Sequence, residues 1–379
     1  MPTTRPMDLT VGVGPPRSAL PADLAVGLPL VKAALLYGDR VTLCSPAASL
    51  LLRLREHAPC DVPGRLAVLA GLADDLDLGD GPARLAHAVG LGRRVDPEAV
   101  RMTVDGWWAR YRRALDEAVV ESGLAALAPA VEAGRLTVET LGVGAVARPS
   151  DFAEAAAETY AAAVADAVAR GHATPLLDGP TAEAIRDASE AGWAGVTERR
   201  AHQARGGGLA AHVLQRLPLF DRATVPEVLD VRADLDAPLA RFRAAVDEFA
   251  AEVASAAWDP EFAVEAERVY RQRVAPAVAE IDDAVASVGY LRELATRYAE
   301  RPQQFVPLAA PALTVALASS DVLAQTVAAS LAGLSVVANA AQAGWAVADG
   351  RREVRARRLF FVYATSRRFN GDRGWRSRA

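Results

Sequence analysis

Hydrophobic positions along this chain change their period several times, and each change predicts an element. Leu9-Thr-Val-Gly-Val13 and Arg40-Val-Thr-Leu-Cys44 are short β-branched runs of strand type. Between them Leu20–Tyr37 reads as a helix, with Pro21 near its start and Gly38-Asp39 at its end. Strand, helix and strand in so short a span predict a small βαβ-like element, whose second strand enters the next helix through Ser45-Pro46. Ala67–Leu78 reads as helix running into an acidic turn. Asp96-Pro97-Glu98 supplies a cap, a first-turn proline and an acid at the positive end of a further helix. Trp108, Tyr111, Leu115 and Val119 then recur at helical spacing and predict a core face. Gly123 interrupts that helix and Leu124–Ala133 resumes it. Asp151-Phe-Ala-Glu154 has the form of a capping box for a helix ending before Gly171, and His172–Asp178 reads as a turn or extended link into a helix from Thr181.

Glu198–Gly208 holds Arg199, Arg200, Arg205 and three consecutive glycines, the composition of a flexible joint. It divides the chain into an N-terminal α/β-to-helical region (1–198), a joint (199–208) and a C-terminal helical bundle (209–379). Beyond the joint, Thr224 and Glu227 form a capping box around Val225-Pro226. Leu235, Leu239, Phe242, Val246, Phe249 and Val253 then step by four and three. Off that seam lie Arg241, Arg243, Asp247, Glu248 and Glu252, expected to face water. After Asp259-Pro260-Glu261 the same spacing returns in Val274, Val278, Ile281, Val285 and Val288, giving a long antiparallel helical hairpin kinked near Pro276. The aligned seams require a third layer, and Val322–Ala348, which carries no formal charge, is the expected one. Asp321 suits its N-cap. At about 40 Å of helix it is long enough for a bilayer, yet Gln325, Thr326, Ser330, Ser335, Asn339 and Gln342 make it a poor span.

Composition supports the helical reading: hydrophobic residues are 51% and aromatic residues only 6%, so the apolar content is mostly Ala, Val and Leu. The expected fold class is therefore predominantly α, α+β overall. A formal charge of −5 argues against nucleic-acid binding over the whole surface. Lys32 is the single lysine among 42 basic residues, a bias that reads as coding composition. Cys44 and Cys60 are too few and too far apart for a disulfide framework or a metal signature. Met1–Ser18 has Pro and Gly where a signal peptide needs an apolar run, so a cytoplasmic location is expected.

Candidate chemistry is sparse. Gly12-Val-Gly14-Pro15-Pro16 follows a strand but lacks the third glycine of a dinucleotide fingerprint, and its prolines remove amide donors. Asp74, Asp75 and Asp77 are weak candidates for a Mg²⁺ or Ca²⁺ site; counting Asp75 as first ligand puts Ala86 where a calcium loop needs Glu. The Asp-Asp-x-Asp run resembles the aspartate-rich motif of class I terpene synthases, which implies a diphosphate substrate, but the usual spacing and a second metal motif are missing. His202 and His212 share no partner residue that would complete a metal site. Arg351, Arg352, Arg355, Arg357 and Arg358, followed by Leu359-Phe-Phe-Val-Tyr363, are candidates for contact with an anion or a membrane surface. In the opposing reading, Leu359, Phe360 and Val362 dock into the bundle while the arginines stay wet.

The runs Ala34-Leu-Leu-Tyr-Gly-Asp-Arg-Val-Thr-Leu43, Pro175-Leu-Leu-Asp178, Val228-Leu-Asp-Val-Arg232 and Arg241-Phe-Arg243 resemble a family of uncharacterised, mainly helical bacterial proteins. That resemblance implies no activity. The expected function is a helical protein-interaction or scaffold protein, with a protein partner or self-association and no cofactor. Two alternatives stand beside it: a membrane-acting effector using residues 302–368, and a metal-dependent enzyme acting on a phosphorylated or diphosphate substrate. Nucleic acid is not an expected partner, and a small-molecule ligand is left open.

Overall fold

The computed structural model describes residues 6–14, 23–56, 59, 61–74, 76–91, 96–139, 159–166, 173–190, 197–217, 219–286 and 354–370. It is mostly helical, with a small parallel sheet. Strands β1 (Asp8–Gly12) and β2 (Arg40–Cys44) are joined by helix α1 (Asp23–Tyr37) and pair in parallel, with Leu9 opposite Val41 and Val11 opposite Leu43. This is the βαβ unit that the two β-branched runs predict. Two further strands extend it: β3 (Leu136–Val138) beside β2, and β4 (Thr174–Leu177) on the other side of β1, in the order β3-β2-β1-β4. The stretch expected as a link over 172–178 is thus largely a strand. Pro175 is compatible with that position because, among the described residues, β4 pairs only with β1 and forms an edge.

Between β2 and β3 the chain forms α2 (Pro46–Glu56), α3 (Val62–Gly71), α4 (Gly81–Gly90), α5 (Pro97–Glu121) and, after a 3₁₀ turn, α6 (Ala128–Glu132). Asp96 caps α5 by accepting from the Glu98 amide at 3.0 Å. Trp108, Tyr111, Leu115 and Val119 are buried along that helix, as their spacing predicts. Gly123 ends the run with φ of +81°, a backbone region that costs a side-chain-bearing residue about 1 kcal/mol. Helix α3 stops at Gly71, so Asp74 and Asp77 lie in turns beyond its end, with Asp77 at φ of +52°. Residues 159–166 form α7, leading to β4 and then α8 (Gly179–Glu190); the expected cap at Asp151–Glu154 lies outside the described residues.

The flexible joint expected at 199–208 is instead helix: α9 spans Glu198–Gln215 without a break and is capped by Thr197. Two of its glycines, Gly207 and Gly208, are there for contact. A Cβ at Gly207 would stand 2.8 Å from Thr174 Cγ2 and 2.9 Å from Leu176 Cδ2, so glycine lets α9 lie close against β4. Arg200, buried in the first turn of α9, donates to the Ala173 carbonyl just ahead of β4 at 2.9 Å.

Helices α10 (Val225–Asp234) and α11 (Asp236–Ala250) follow, and the capping box at Thr224 and Glu227 is present. Leu239, Phe242, Val246 and Val253 are buried, whereas Leu235 and Phe249 are half-buried. The return arm comprises α12 (Phe262–Val269), a π turn at Tyr270–Val274 and α13 (275–286). Pro276 lacks the amide that would bond back toward this turn, and the helix passes through a π turn just ahead of it. Val274, Val278 and Ile281 are buried; Val288 lies outside the described residues.

The seam of α11 is covered by α9 and by the last helix, α14 (Phe360–Asn370). Phe242 meets the Phe361 ring at 5.4 Å and the Tyr37 ring at 5.9 Å. Leu359, Phe361 and Val362 are buried, so the apolar part of the tail docks into the bundle. The uncharged segment 322–348, expected in that role, and its cap at Asp321 lie outside the described residues. Among the described residues, no helix is long and apolar enough to cross a membrane.

Candidate functional site

The residues that precede the strands and those that follow them form two chemically different edges. At the amino edge, Met7, Asp39 and Arg135 immediately precede β1, β2 and β3. The Asp39 carboxylate accepts from Arg232 at 2.5 Å, from Arg243 at 3.1 and 3.2 Å, and from the Met7 amide at 2.7 Å. Arg232, which is 4% exposed, also bonds the Gly38 carbonyl and Asp236. Arg243, expected to face water, instead bonds the Tyr37 carbonyl at 3.0 Å and lies over the Tyr37 ring at 5.6 Å. Arg135 donates to the Asp39 carbonyl at 2.8 Å. Burial alone would raise the Asp39 pKa; hydrogen bonds from Arg243 and Met7, with both arginine charges, outweigh it and hold the carboxyl below its usual value. With its charges already paired, this edge ties the α1–β2 corner to α10 and α11.

The carboxyl edge is built differently. β1 sits between β2 and β4, the strands to either side of it reached by connections that run in opposite directions. In open parallel sheets such a reversal marks the crevice where ligands bind. Gly12-Val13-Gly14, Cys44-Ser45, Glu139 and Leu177-Asp178 lie at these strand ends. Main-chain bonds extend past the strands: Val13 donates to Cys44 at 3.0 Å, Asp178 to Gly12 at 3.1 Å and Glu139 to Leu43 at 2.8 Å. Ser45 opens α2 by accepting from the Ala48 amide at 3.4 Å.

Asp178 stands between β4 and α8. One carboxylate oxygen accepts from the Gly14 amide at 3.0 Å and the other from the Thr181 amide at 2.9 Å. It thereby caps α8 and clasps the end of β1. Burial raises its pKa, and the bonds from Thr181 and Gly14 offset this only in part. The Thr181 side chain also bonds this carboxyl, and its hydroxyl lies 2.5 Å from that of Tyr160 on α7. Tyr160 and Thr181 are buried and press on the strand end: a Cβ at Gly12 would stand 3.0 Å from Thr181 Cγ2 and 3.2 Å from the Tyr160 hydroxyl. Burial raises the Tyr160 pKa strongly, and burial with the nearby Glu139 charge lifts the Cys44 thiol to about 11. Cys44 is thus a protonated thiol at neutral pH and a poor nucleophile. What remains is a carboxyl whose protonation responds to its surroundings, backed by two hydroxyls.

The residues singled out by sequence lie elsewhere. Asp74 and Asp77 are exposed in the turn after α3, and Asp75 lies outside the described residues. Among the described residues, no three His, Cys, Asp or Glu side chains are grouped to hold a metal ion. His202 pairs with Asp247 at 3.1 Å and His212 with Glu267 at 3.1 Å, each joining α9 to the hairpin. Arg351 and Arg352 lie outside the described residues. Arg355 is exposed, and its carbonyl accepts from Arg241. Arg358 pairs with Glu248 at 2.6 Å, and Arg357 donates to the Glu280 carbonyl at 3.4 Å.

Asp178, Thr181 and Tyr160 carried a partial signal in sequence. Asp178-Gly-Pro-Thr181 after Pro175-Leu-Leu is a strand running into a capped helix, but nothing local pairs it with Gly14. Of the runs quoted from the sequence, Tyr37-Gly-Asp39, Arg232 and Arg243 meet at the amino edge, and Asp178 closes the carboxyl edge. No family model, curated protein or solved structure matches the chain.

Proposed function

We propose that the protein binds a small molecule at the carboxyl edge of its sheet, between the ends of β1 and β4, with Asp178 as the group the ligand meets. The observation that carries this is the strand order β3-β2-β1-β4, with a half-buried, hydrogen-bonded carboxyl at its point of reversal. The paired amino edge supports the same choice, because its charges are already spent within the chain. The reading of a surface that contacts a protein partner or a membrane through the arginine-rich tail has less behind it. Of its described candidates, Arg357 and Arg358 are engaged with the chain's own groups.

A thermal-shift screen of small metabolites on the full chain tests the proposal, since a ligand that favours the native state raises the midpoint. Shifts that weaken in Tyr160→Phe and Thr181→Val but persist in Arg112→Ala, on the outer face of α5, support it. Shifts that respond to Arg112→Ala and ignore both edge substitutions contradict it.

A further inference from the structure

Helix α5 carries a second stripe, on the side away from its core face. Met102 and Val120 are 71% and 67% exposed, and their eighteen-residue separation is five full turns, so both lie on one line along the helix. Gly106 and Ala109 lie close to that line and are exposed, and a Cβ at Gly106 would meet nothing within 4 Å. Towards the C-terminal half the face becomes charged, in two adjoining blocks: Arg112 and Arg113, then Asp116 and Glu117, all exposed. Within one helix, arginine ahead of an acid at a spacing of four is the weaker order, and among the described residues none of these four side chains is in an ion pair. A partner of single sign would be attracted by one block and repelled by the other. A second copy of the same helix, running the opposite way, matches both.

We propose that two copies of this chain associate through the outer face of α5, antiparallel about a twofold axis that passes between positions 114 and 115. That axis brings Arg112 to the partner's Glu117 and Arg113 to the partner's Asp116, each contact occurring twice, as an isologous interface requires. It also sets Val120 against the partner's Ala109, whose small side chain leaves room for it. Exposed ion pairs add little strength, and a single helix pair belongs to the small contacts below ~1,200 Å² that are weak and transient. The charges set the register and the apolar contacts add to it, so the dimer is weak, concentration-dependent and salt-sensitive. The face shares no residue with the proposed ligand edge, so association and ligand binding are separate properties.

Sedimentation equilibrium of the full chain over a range of concentrations tests this. The expected result is a monomer–dimer equilibrium that weakens between about 50 and about 500 mM salt. Two charge-reversed variants, Arg112→Glu with Arg113→Glu and Asp116→Arg with Glu117→Arg, should each dimerise at least about tenfold more weakly. Mixed in equal amounts they should regain the wild-type extent, because one then presents only negative and the other only positive groups at these four positions. Recovery on mixing is a result that misfolding cannot give. If either variant fails to fold by far-UV circular dichroism, hydrogen exchange of the wild type decides, with peptides covering 102–121 expected to exchange more slowly in concentrated than in dilute solution. A chain that is monomeric at every concentration overturns the proposal. So does a dimer that survives both reversals, loss in both variants without recovery on mixing, or a dimer whose added protection lies elsewhere in the chain.

Discussion

At the scale of the residue, Asp39 and Asp178 illustrate how similar carboxyls at opposite ends of one sheet acquire opposite properties. Asp39 has two guanidinium partners and a main-chain amide, and its ionised form is favoured. Asp178 has two amides and the Thr181 hydroxyl but, among the described residues, no cation partner, and its ionised form is disfavoured. Replacing Asp39 leaves Arg232 buried without its carboxylate, and Asp39→Ala is expected to cost about 3 kcal/mol in urea unfolding. Combining it with Arg232→Met should cost clearly less than the two single changes summed, because the pair acts as a unit. Simple addition of the two costs would show that the contact carries no coupling. Tyr160→Phe removes one bond to Thr181 and should cost only about 1 kcal/mol.

The element that departs furthest from expectation is α9. Three glycines in a row suggest a joint, yet each faces a different surface, and their substitutions should differ in sign. A Cβ at Gly206 meets nothing nearer than Ala250 Cβ at 3.9 Å, so Gly206→Ala should stabilise by about 0.5–1 kcal/mol. Gly207→Ala forces a methyl into Thr174 and Leu176 and should destabilise by about 1–3 kcal/mol. Equal small effects at both positions would be the behaviour of a loose linker.

This case also marks what was legible in sequence. The caps at Asp96 and Thr224 and the stripe of α5 act over three or four residues, so local pattern suffices to find them. So do β1 and β2, whose β-branched runs are distinctive. Strands β3 and β4 are only three and four residues long. They owe their state to strand partners about a hundred or more positions away, and the close-packed glycines of α9 to partners some thirty to fifty positions away. The same holds for the sites. Exposed clusters such as Asp74 and Asp77 stand out in sequence because they are local, whereas Gly14, Tyr160 and Asp178 become neighbours only through the sheet.

Across the whole molecule, α9 ties the sheet to the hairpin. His212 on α9 donates to Glu267 on α12, which also accepts from Arg216 and Arg271, both at 2.6 Å. Burial, aided by the charge of Arg216 and opposed by Glu267, lowers the His212 pKa. A lowered histidine gives stability that is present above about pH 6.5 and lost as pH falls through the folded value. Asp39, also lowered, gives stability present above about pH 4 that is lost on further acidification. Asp178 is raised, so its contribution is present below about pH 4 and is lost as pH rises through its folded value. The fold should therefore weaken in two acid steps, and His212→Gln should flatten the first. Asp178→Asn should gain on the wild type between pH 4 and neutrality. Thermal midpoints across pH 3–8 read all three effects, and a His212→Gln profile that keeps the first step would remove histidine from the account.

The most direct measurement is amide hydrogen exchange of the full chain with and without a saturating concentration of the ligand that binds most tightly. The account predicts added protection in peptides covering 8–14, 40–49 and 174–182, at the carboxyl ends of the strands. It predicts no added protection at the paired amino-edge corner formed by 232–243. Protection confined to the acidic turn at 72–80, to the arginine-rich tail or to the amino edge would contradict it.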